Sequence, residues 1–353
     1  DTTKALIAAS PFMGMFLSML LLHYASLTNW KKSTSGALPS LITGFCLILA
    51  AWAPSLILFA CLVIAGYICR SALLPFITEI YSDNYPSGKR AAFFSKPLLL
   101  SVGIAALSGF IGSWFLELNI NNYHWIFTFL GFCAYAKAVA IFSMPSNSII
   151  DSPHTNPFGN MKYIIKDKSF GYVLLTWFIM GFANLWTLPL RVDYVTAPEW
   201  GIEGSAIYVA MIITIIPETI RMILIPFWAS LFDKMNFVVL RMILNLFFGF
   251  GVLLFFVTSN PWVIGMGSAL IGAAFAGGSI AWNLWVTKYA PPGKAGAYMS
   301  VDVSLTGIRG TIGPILGYWT VNLIGAQNIG IISFVMMFLA TLMLIPEIKH
   351  GVK

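Results

Sequence analysis

Ionisable side chains inside long apolar stretches are the residues of this sequence that could do chemistry. Glu218 and Arg221 lie three residues apart in "IPETIRMILIP". Asp302 and Arg309 lie seven apart in "SVDVSLTGIRG". Residues at these spacings share one face of a helix, so each couple could interact. An ionised group in the middle of a bilayer costs about 2.5 to 3.5 kcal/mol on insertion scales, and such groups are therefore functional candidates by default.

The Glu218 and Arg221 couple has two interpretations. In the first, Glu218 takes up and releases a proton, or pairs with Arg221 or Arg309 in one conformation only, while the arginines hold the charge of a solute. In the second, Glu218 and Arg221 neutralise each other permanently and serve only the structure. The sequence leaves both interpretations open.

Further cationic, polar and aromatic residues inside apolar stretches extend this set of substrate or coupling residues. They are Arg70, Lys96, Trp177, Asn184, Trp186, Trp282 and Asn283. Tryptophans near helix ends are also common membrane-interface anchors, which is the alternative for the aromatic members. The four histidines and four cysteines lack the spacing of a zinc site, and no phosphate-binding loop occurs. We therefore expect no enzyme, no cofactor and no bound metal.

The amino-acid composition indicates whether these residues lie in a water-soluble protein or in a membrane. Of the 353 residues, 58% are hydrophobic and 9% are charged, whereas soluble domains carry about 25% charged residues. The chain is therefore predicted to be an integral, multi-pass membrane protein in contact with a lipid bilayer. Its net charge of +7 is then interpreted by position in the loops, not as a sign of nucleic-acid binding.

Eleven apolar stretches are long enough to cross a bilayer, which takes about 20 helical residues. They run at approximately 5–25, 36–53, 55–78, 91–115, 123–145, 169–190, 205–231, 237–258, 261–286, 296–320 and 325–345. We predict an all-α membrane protein with a first transmembrane bundle at 1–146, a cytoplasmic linker at 147–168 that carries a short interfacial helix, and a second, six-helix bundle at 169–353.

Basic residues alternate between the loops. One set of loops and the C-terminus hold most of the lysines and arginines, and the opposite set holds only Lys4 and Arg191. Because basic residues collect in cytoplasmic loops, the C-terminus is predicted to be cytoplasmic and Asp1 to lie outside.

An internal repeat links the two bundles. The segment "PSGKRAAFFS", which begins at Pro86, aligns with "PPGKAGAYMS", which begins at Pro291, at an offset of 291 − 86 = 205 residues. The second bundle begins near Ser169, so its counterpart would lie at 169 − 205 = −36. We therefore expect two pseudo-symmetric six-helix bundles, with the first helix of the first bundle preceding Asp1.

Two six-helix halves joined by a basic linker resemble the major facilitator superfamily, and the loops carry a local resemblance. After the second helix of each half the family has a pattern like G-x-L-x-D-R-x-G-R-R. The second half reads "ASLFDKMNFVVLR", with Asp233, Lys234 and a distal Arg241. The first half reads "ASLTNWKK", which places Asn29 at the position of the aspartate. The resemblance implies a gating loop formed by Asn29, Lys31, Lys32, Asp233 and Lys234.

The resemblance also implies a function. Members of the family move small solutes by alternating access around a site at the middle of the membrane, so we expect a secondary active transporter, a symporter or permease, coupled to protons. The charged set comprises Arg70, Lys96, Arg221 and Arg309 against Glu218 and Asp302. Four cations against two carboxylates favour an anionic or zwitterionic solute.

The expected location is a bacterial inner membrane. Three other functions stay open: an efflux antiporter for hydrophobic compounds, a polytopic membrane enzyme and a membrane scaffold that transports nothing.

Overall fold

The structure, a computed structural model, describes residues 2–26, 30–73, 76–77, 80, 84, 90–146, 161–196, 198, 204–290 and 295–350. These residues form helices and no β-strand. Ten of the eleven long helices in this part of the chain are α1 Thr2–Ser26, α2 Lys32–Ala51, α3 Leu56–Ala72, α4 Arg90–Leu118, α5 Tyr123–Phe142, α6 Lys168–Thr187, α8 Phe237–Phe256, α9 Pro261–Leu284, α10 Ala295–Ile324 and α11 Ala326–Met343.

The remaining long helix, α7, is built of three consecutive parts. An α-helical turn at Ala206–Ala210 is followed by a π-helical turn at Met211–Ile215 and then by an α-helix at Ile216–Lys234. Shorter helices at Tyr163–Lys166 and Leu190–Thr196 flank α6. The first of these lies in the segment where a short linker helix was predicted.

Eight stretches of the described chain are long and apolar enough to cross a membrane. They are Lys32–Ala51, Leu99–Leu118, Ile120–Phe142, Lys168–Thr196, Ala206–Phe232, Phe237–Phe256, Pro261–Trp282 and Ala326–Lys349. The apolar helix Leu56–Ala72 is shorter. Each of the eleven predicted spans overlaps one of these helices within its described residues, although the number of eleven crossings stays a prediction.

Helix packing repeats between the two halves. In the first half α1 and α2 both pack against α3, and α2 packs against α5. In the second half α7 and α8 both pack against α9, and α8 packs against α11. Helix α8 begins 205 residues after α2 (237 − 32), the offset of the sequence repeat. The fold therefore consists of two pseudo-symmetric helical bundles.

Side-chain caps and one glycine set several helix ends. Ser55 caps α3 by accepting a hydrogen bond from the backbone N–H of Leu58, and Asp167 caps α6 in the same way through Phe170. Between α10 and α11 the chain turns at Gly325, whose φ of 78° is the only positive φ among the described residues. A side chain at this position would strain the backbone, so the turn between the two helices depends on glycine.

The two halves meet along two helix pairs, α1 with α10 and α4 with α7. Gly307 and Gly310 let α10 approach α1 closely, because a Cβ on either glycine would overlap Phe16 or Phe12. Small residues at such contacts are a common way for membrane helices to pack.

Polar contacts also join the halves at the end opposite the loops predicted to be cytoplasmic, which we call the outer end. Lys4 Nζ lies 3.0 Å from Asp193 Oδ1. Glu117 Oε1, at the end of α4, accepts a hydrogen bond from the backbone N–H of Ile207 in α7 at 2.9 Å. These two contacts join the halves at the outer end.

A substitution at the α1 and α10 contact tests this packing. Gly310→Ala is expected to lower the free energy of unfolding by about 1 to 3 kcal/mol, because the new methyl group overlaps the Phe12 ring. Adding Phe12→Ala should recover part of the loss. Thermal unfolding in detergent measures both.

The matched control is Gly112→Ala on α4, where a Cβ would meet no atom within 4 Å. If Gly310→Ala and Gly112→Ala unfold at the same temperature, the close contact between α1 and α10 is wrong.

Candidate functional site

Trp177, on α6, is the centre of a buried charged cluster in the second half. The guanidinium carbon of Arg241 lies 3.2 Å from the centroid of the Trp177 ring. Trp285 stacks on Trp177 with 5.0 Å between the ring centroids. The backbone oxygen of Trp177 accepts a hydrogen bond of 2.5 Å from Arg309 Nη1. One residue thus contacts side chains from α8, from α10 and from the turn after α9.

Asp302 completes the cluster. Its side chain is buried, and Oδ2 accepts a hydrogen bond from Trp285 Nε1 at 3.3 Å. Arg309 and Arg241 both act electrostatically on this carboxylate. We call these five residues, Trp177, Arg241, Trp285, Asp302 and Arg309, the Trp177 cluster.

Local sequence explains how the Arg309 guanidinium fits. Arg309 Nη2 donates a hydrogen bond of 2.8 Å to Thr306 Oγ1, one helical turn earlier on α10. Opposite, on α6, Gly181 has no side chain, and a Cβ there would lie 2.5 Å from Arg309 Nη1. The glycine therefore provides the space that the guanidinium occupies.

Positive charge exceeds negative charge in this core. Arg241 Nη1, Arg309 Nε and Asp302 Oδ1 are buried, and none has a hydrogen-bond partner among the described residues. A third buried cation, Arg191, donates from Nη2 to Asn184 Oδ1 at 2.7 Å. In the second half, the described residues thus bury three guanidiniums and two carboxylates, those of Asp302 and Glu347, so the buried charge there is net positive. Unpaired buried polar atoms are costly and need a reason.

A second charged site lies on α7. Arg221 Nη1 lies 3.2 Å from both carboxylate oxygens of Glu218, and the side chains are 22% and 25% exposed, respectively. On either side of Glu218, Thr214 packs near Gly109 and Met222 near Gly103 of α4. The ion pair therefore lies beside the contact between the two halves.

Several of the predicted substrate or coupling residues make contacts with other side chains of the second half. Asn184 binds Arg191, as described above. Trp186 Nε1 donates a hydrogen bond of 2.9 Å to Thr320 Oγ1 of α10. Trp282 is partly buried and stacks on Phe248 with 6.3 Å between the ring centroids. These three side chains pack within the bundle.

Other predicted residues lie apart from the Trp177 cluster or outside the described side chains. Arg70 is exposed in the last turn of α3. Of the predicted gating loop, Lys31 and Lys234 are exposed at helix ends, and Lys32 is buried. Asn29 lies outside the described residues, and the side chains of Lys96, Asp233 and Asn283 are not described.

Arg241 was not among the predicted site residues, and the family resemblance noted it only as a distal basic residue after the loop motif. Helix α8 begins at Phe237, so Arg241 lies in the second turn of that helix. Its side chain is only 1% exposed. The sequence did indicate that Arg241 could be buried in a helix, because the residue falls inside the predicted apolar span 237–258.

At the predicted cytoplasmic end, titratable groups gather below the Trp177 cluster. Tyr298 donates a hydrogen bond from its hydroxyl to Asp167 Oδ2 at 3.0 Å. The hydroxyl of Tyr289 is buried, and this burial, together with the charges of Glu347 and Asp167, raises its pKa above the ordinary value. Tyr289 therefore stays protonated at neutral pH.

A surface groove of about 440 Å³ lies on the first half, at its outer end. It is lined by Ala53, Pro54, Ser55, Leu56, Phe59 and Tyr123. None of these residues is charged, and none belongs to either charged site. The groove therefore has no part in the charged sites.

Two pseudo-symmetric helical bundles that bury charged side chains in membrane-length helices define a polytopic membrane protein of the transporter type. The profile of the Major Facilitator Superfamily matches residues 1–308 and, in a second alignment, 199–353. The chain belongs to this superfamily, and the expectation drawn from the loop motifs is confirmed. No curated protein matches the sequence.

Solved structures have the same fold. A POT family transporter in complex with a thioalcohol-conjugated peptide superposes with a TM-score of 0.78 at 14% identity, over 100% of this chain and 89% of the other. A D-xylose-proton symporter gives 0.75 at 16% identity, over 100% and 91%. A point mutant of the nucleoside transporter NupG gives 0.71 at 13% identity, over 98% and 90%. At these identities the similarity establishes the fold.

The space left by Gly181 provides a test of the cluster. Gly181→Ala is expected to push Arg309 away from the Trp177 carbonyl and to lower the free energy of unfolding by about 1 to 3 kcal/mol. In a protein that already carries Arg309→Ala, Gly181→Ala should not lower the free energy of unfolding further, because the guanidinium that the new methyl group would displace is absent. Thermal unfolding in detergent of the two single variants and the double variant measures this double-mutant cycle.

The control for Gly181→Ala is Gly265→Ala on α9, where the nearest atom to a Cβ is 3.8 Å away. A cost of Gly181→Ala that persists in full without the Arg309 side chain would contradict the proposed geometry.

Proposed function

We propose that this protein is a secondary active transporter that moves a small anionic or zwitterionic solute by alternating access and couples this movement to protons. The observation that carries the proposal is the position of the Glu218 and Arg221 ion pair. It lies on a predicted membrane-crossing helix, beside the contact between α4 of one half and α7 of the other.

An ion pair at this position can couple a proton to movement. Alternating access requires the two halves to change their contact, so the surroundings of Glu218 change with conformation. When the pair is intact, Glu218 and Arg221 neutralise each other. Protonation of Glu218 removes its charge and leaves Arg221 as a cation beside the contact, which favours a different arrangement of the halves or the charge of a bound solute.

The charge of the core supports the preference for an anionic or zwitterionic solute. Among the described residues of the second half, three buried arginines accompany two buried carboxylates, and positive potential attracts anions. Solved structures of the same fold are described as a D-xylose-proton symporter, a peptide transporter and a nucleoside transporter. These descriptions support solute transport in general and leave the particular solute to experiment.

The proposed setting is a bacterial inner membrane, with the C-terminus on the cytoplasmic side. The excess of basic residues in one set of loops supports this orientation. Under this topology the outer end, where Lys4 pairs with Asp193, faces away from the cytoplasm.

Uptake into proteoliposomes tests the function. A panel of radiolabelled anionic, zwitterionic, neutral and cationic small molecules is offered under an inward proton gradient. We expect an anionic or zwitterionic member to accumulate above its external concentration, and a protonophore to abolish this accumulation. Accumulation that the protonophore leaves unchanged would exclude proton coupling. Selective movement of bulky hydrophobic cations would favour the efflux antiporter instead.

The coupling role of Glu218 has its own test. Glu218→Gln should lose proton-driven accumulation by at least about tenfold, the equivalent of about 1.4 kcal/mol, yet retain counterflow, which exchanges labelled for unlabelled solute without net proton movement. Gradient-driven uptake and counterflow are measured on the same preparation.

Glu117→Gln is the matched control, because its side-chain amide oxygen can still accept the hydrogen bond from Ile207. It should retain both activities. Full proton-driven uptake by Glu218→Gln would remove Glu218 as the proton carrier.

A further inference from the structure

The short helix Tyr163–Lys166, which we call the linker helix, is docked on the second half. Gly171 of α6 lies so close to it that a Cβ on the glycine would overlap the Ile164 carbonyl oxygen. The Tyr163 ring stacks on the ring of Tyr298 of α10, with 4.9 Å between the ring centroids. Tyr163 and Ile164 also pack against the apolar core of this half. One side of the linker helix therefore faces the protein.

The two acidic side chains described near the linker helix accept hydrogen bonds from protein groups. Asp167 directly follows the linker helix, and its Oδ1 accepts from the backbone N–H of Phe170 at 3.1 Å. Its Oδ2 accepts from the Tyr298 hydroxyl at 3.0 Å. Glu347 is 9% exposed, and its Oε2 accepts from Ser169 Oγ at 2.7 Å. These carboxylates are therefore bound on the protein side of the segment.

Basic side chains and one large apolar side chain lie on the exposed side of the segment. Lys162, which precedes the linker helix, and Lys166, its last residue, are exposed. Ile165 between them is 82% exposed. Residues three and four apart lie on one face of a helix, so these three residues form one surface, which we call the linker face. Lys168, at the start of α6, is also exposed.

The linker face lies beside a predicted membrane crossing. The stretch Lys168–Thr196 is long and apolar enough to cross a membrane, and the linker helix ends two residues before it. At a membrane surface, lysine side chains can extend their ammonium groups to lipid phosphates while an apolar side chain enters the boundary of the acyl chains. Clusters of lysines at such positions attract anionic lipids.

We propose that the linker face binds the headgroups of anionic phospholipids, with Ile165 inserted at the boundary of the acyl chains. Charge complementarity favours an anionic lipid, because the lysines are exposed while Asp167 and Glu347 are bound on the protein side. The linker helix contacts α6 and α10, so a lipid bound there attaches this end of the second half to the membrane surface. The inference does not depend on the proposed solute or on proton coupling.

Native mass spectrometry of the full chain in detergent tests the proposal. The protein is titrated with phosphatidylglycerol, which is anionic, and with phosphatidylcholine of the same acyl chains, which is zwitterionic. We expect the first phosphatidylglycerol to bind at least about tenfold more tightly than the first phosphatidylcholine, because only the former carries a net negative charge. Equal affinity for the two lipids would overturn the proposal.

A pair of charge variants locates the binding. Lys162→Gln with Lys166→Gln should weaken the first phosphatidylglycerol by about tenfold and leave phosphatidylcholine unchanged, because lysines near an anionic lipid surface strengthen binding. The matched control, Lys31→Gln with Lys234→Gln, removes the same charge from two exposed lysines at other helix ends. It should retain the affinity of the unchanged protein. An equal loss in both double variants would show a general effect of net charge and overturn the linker face.

Two further measurements distinguish a lipid from a soluble phosphate. Ile165→Ser should weaken phosphatidylglycerol by about threefold, because the apolar contact is lost while both lysines remain. Glycerol phosphate, which has the phosphate but no acyl chains, should leave the bound lipid in place at millimolar concentration. Displacement by glycerol phosphate, or full affinity in Ile165→Ser, would contradict binding of a lipid with Ile165 inserted. Thermal unfolding of every variant confirms that it is folded.

Discussion

The cost of placing guanidinium groups inside a membrane-embedded helical bundle constrains the second half of this protein. Two parts of Trp177 stabilise these charges. Its ring makes a cation–π contact with the Arg241 guanidinium, and its backbone carbonyl accepts a hydrogen bond from Arg309. Cation–π contacts gain strength where water is excluded. Trp177 therefore contacts α8 and α10 from α6 and links these three helices.

Much of the fold could be predicted from the sequence. The apolar spans, the offset between the halves and the membership of the superfamily follow from periodicity, from repeated loop segments and from short motifs. These patterns can be recognised in the sequence because the bilayer imposes length and polarity on every crossing helix independently of its neighbours. The proximity of Glu218 and Arg221 was predictable for a similar reason, since residues three apart on one helix are always neighbours.

The cluster around Trp177 could not be predicted in the same way. Its members come from four separate elements, and no spacing rule connects residue 177 with residues 241, 285 and 309. Arg241 was noted only as the distal basic residue after a loop motif, although it lies in α8. Its place inside an apolar span could have marked it as a buried charge, but its aromatic partner depends on how the helices pack. The π-helical turn of α7 likewise has no clear sequence signal apart from Pro217.

The two charged sites differ in how fast they can respond. Glu218 and Arg221 occupy one turn of one helix, so they can separate and rejoin through side-chain rotations, which take picoseconds to nanoseconds. Rearrangement of whole bundles takes microseconds to milliseconds. In the transport cycle proposed above, the ion pair would therefore reach equilibrium many times within the lifetime of each conformation. It would bias which conformation is populated, while the movement of the halves would set the rate of turnover.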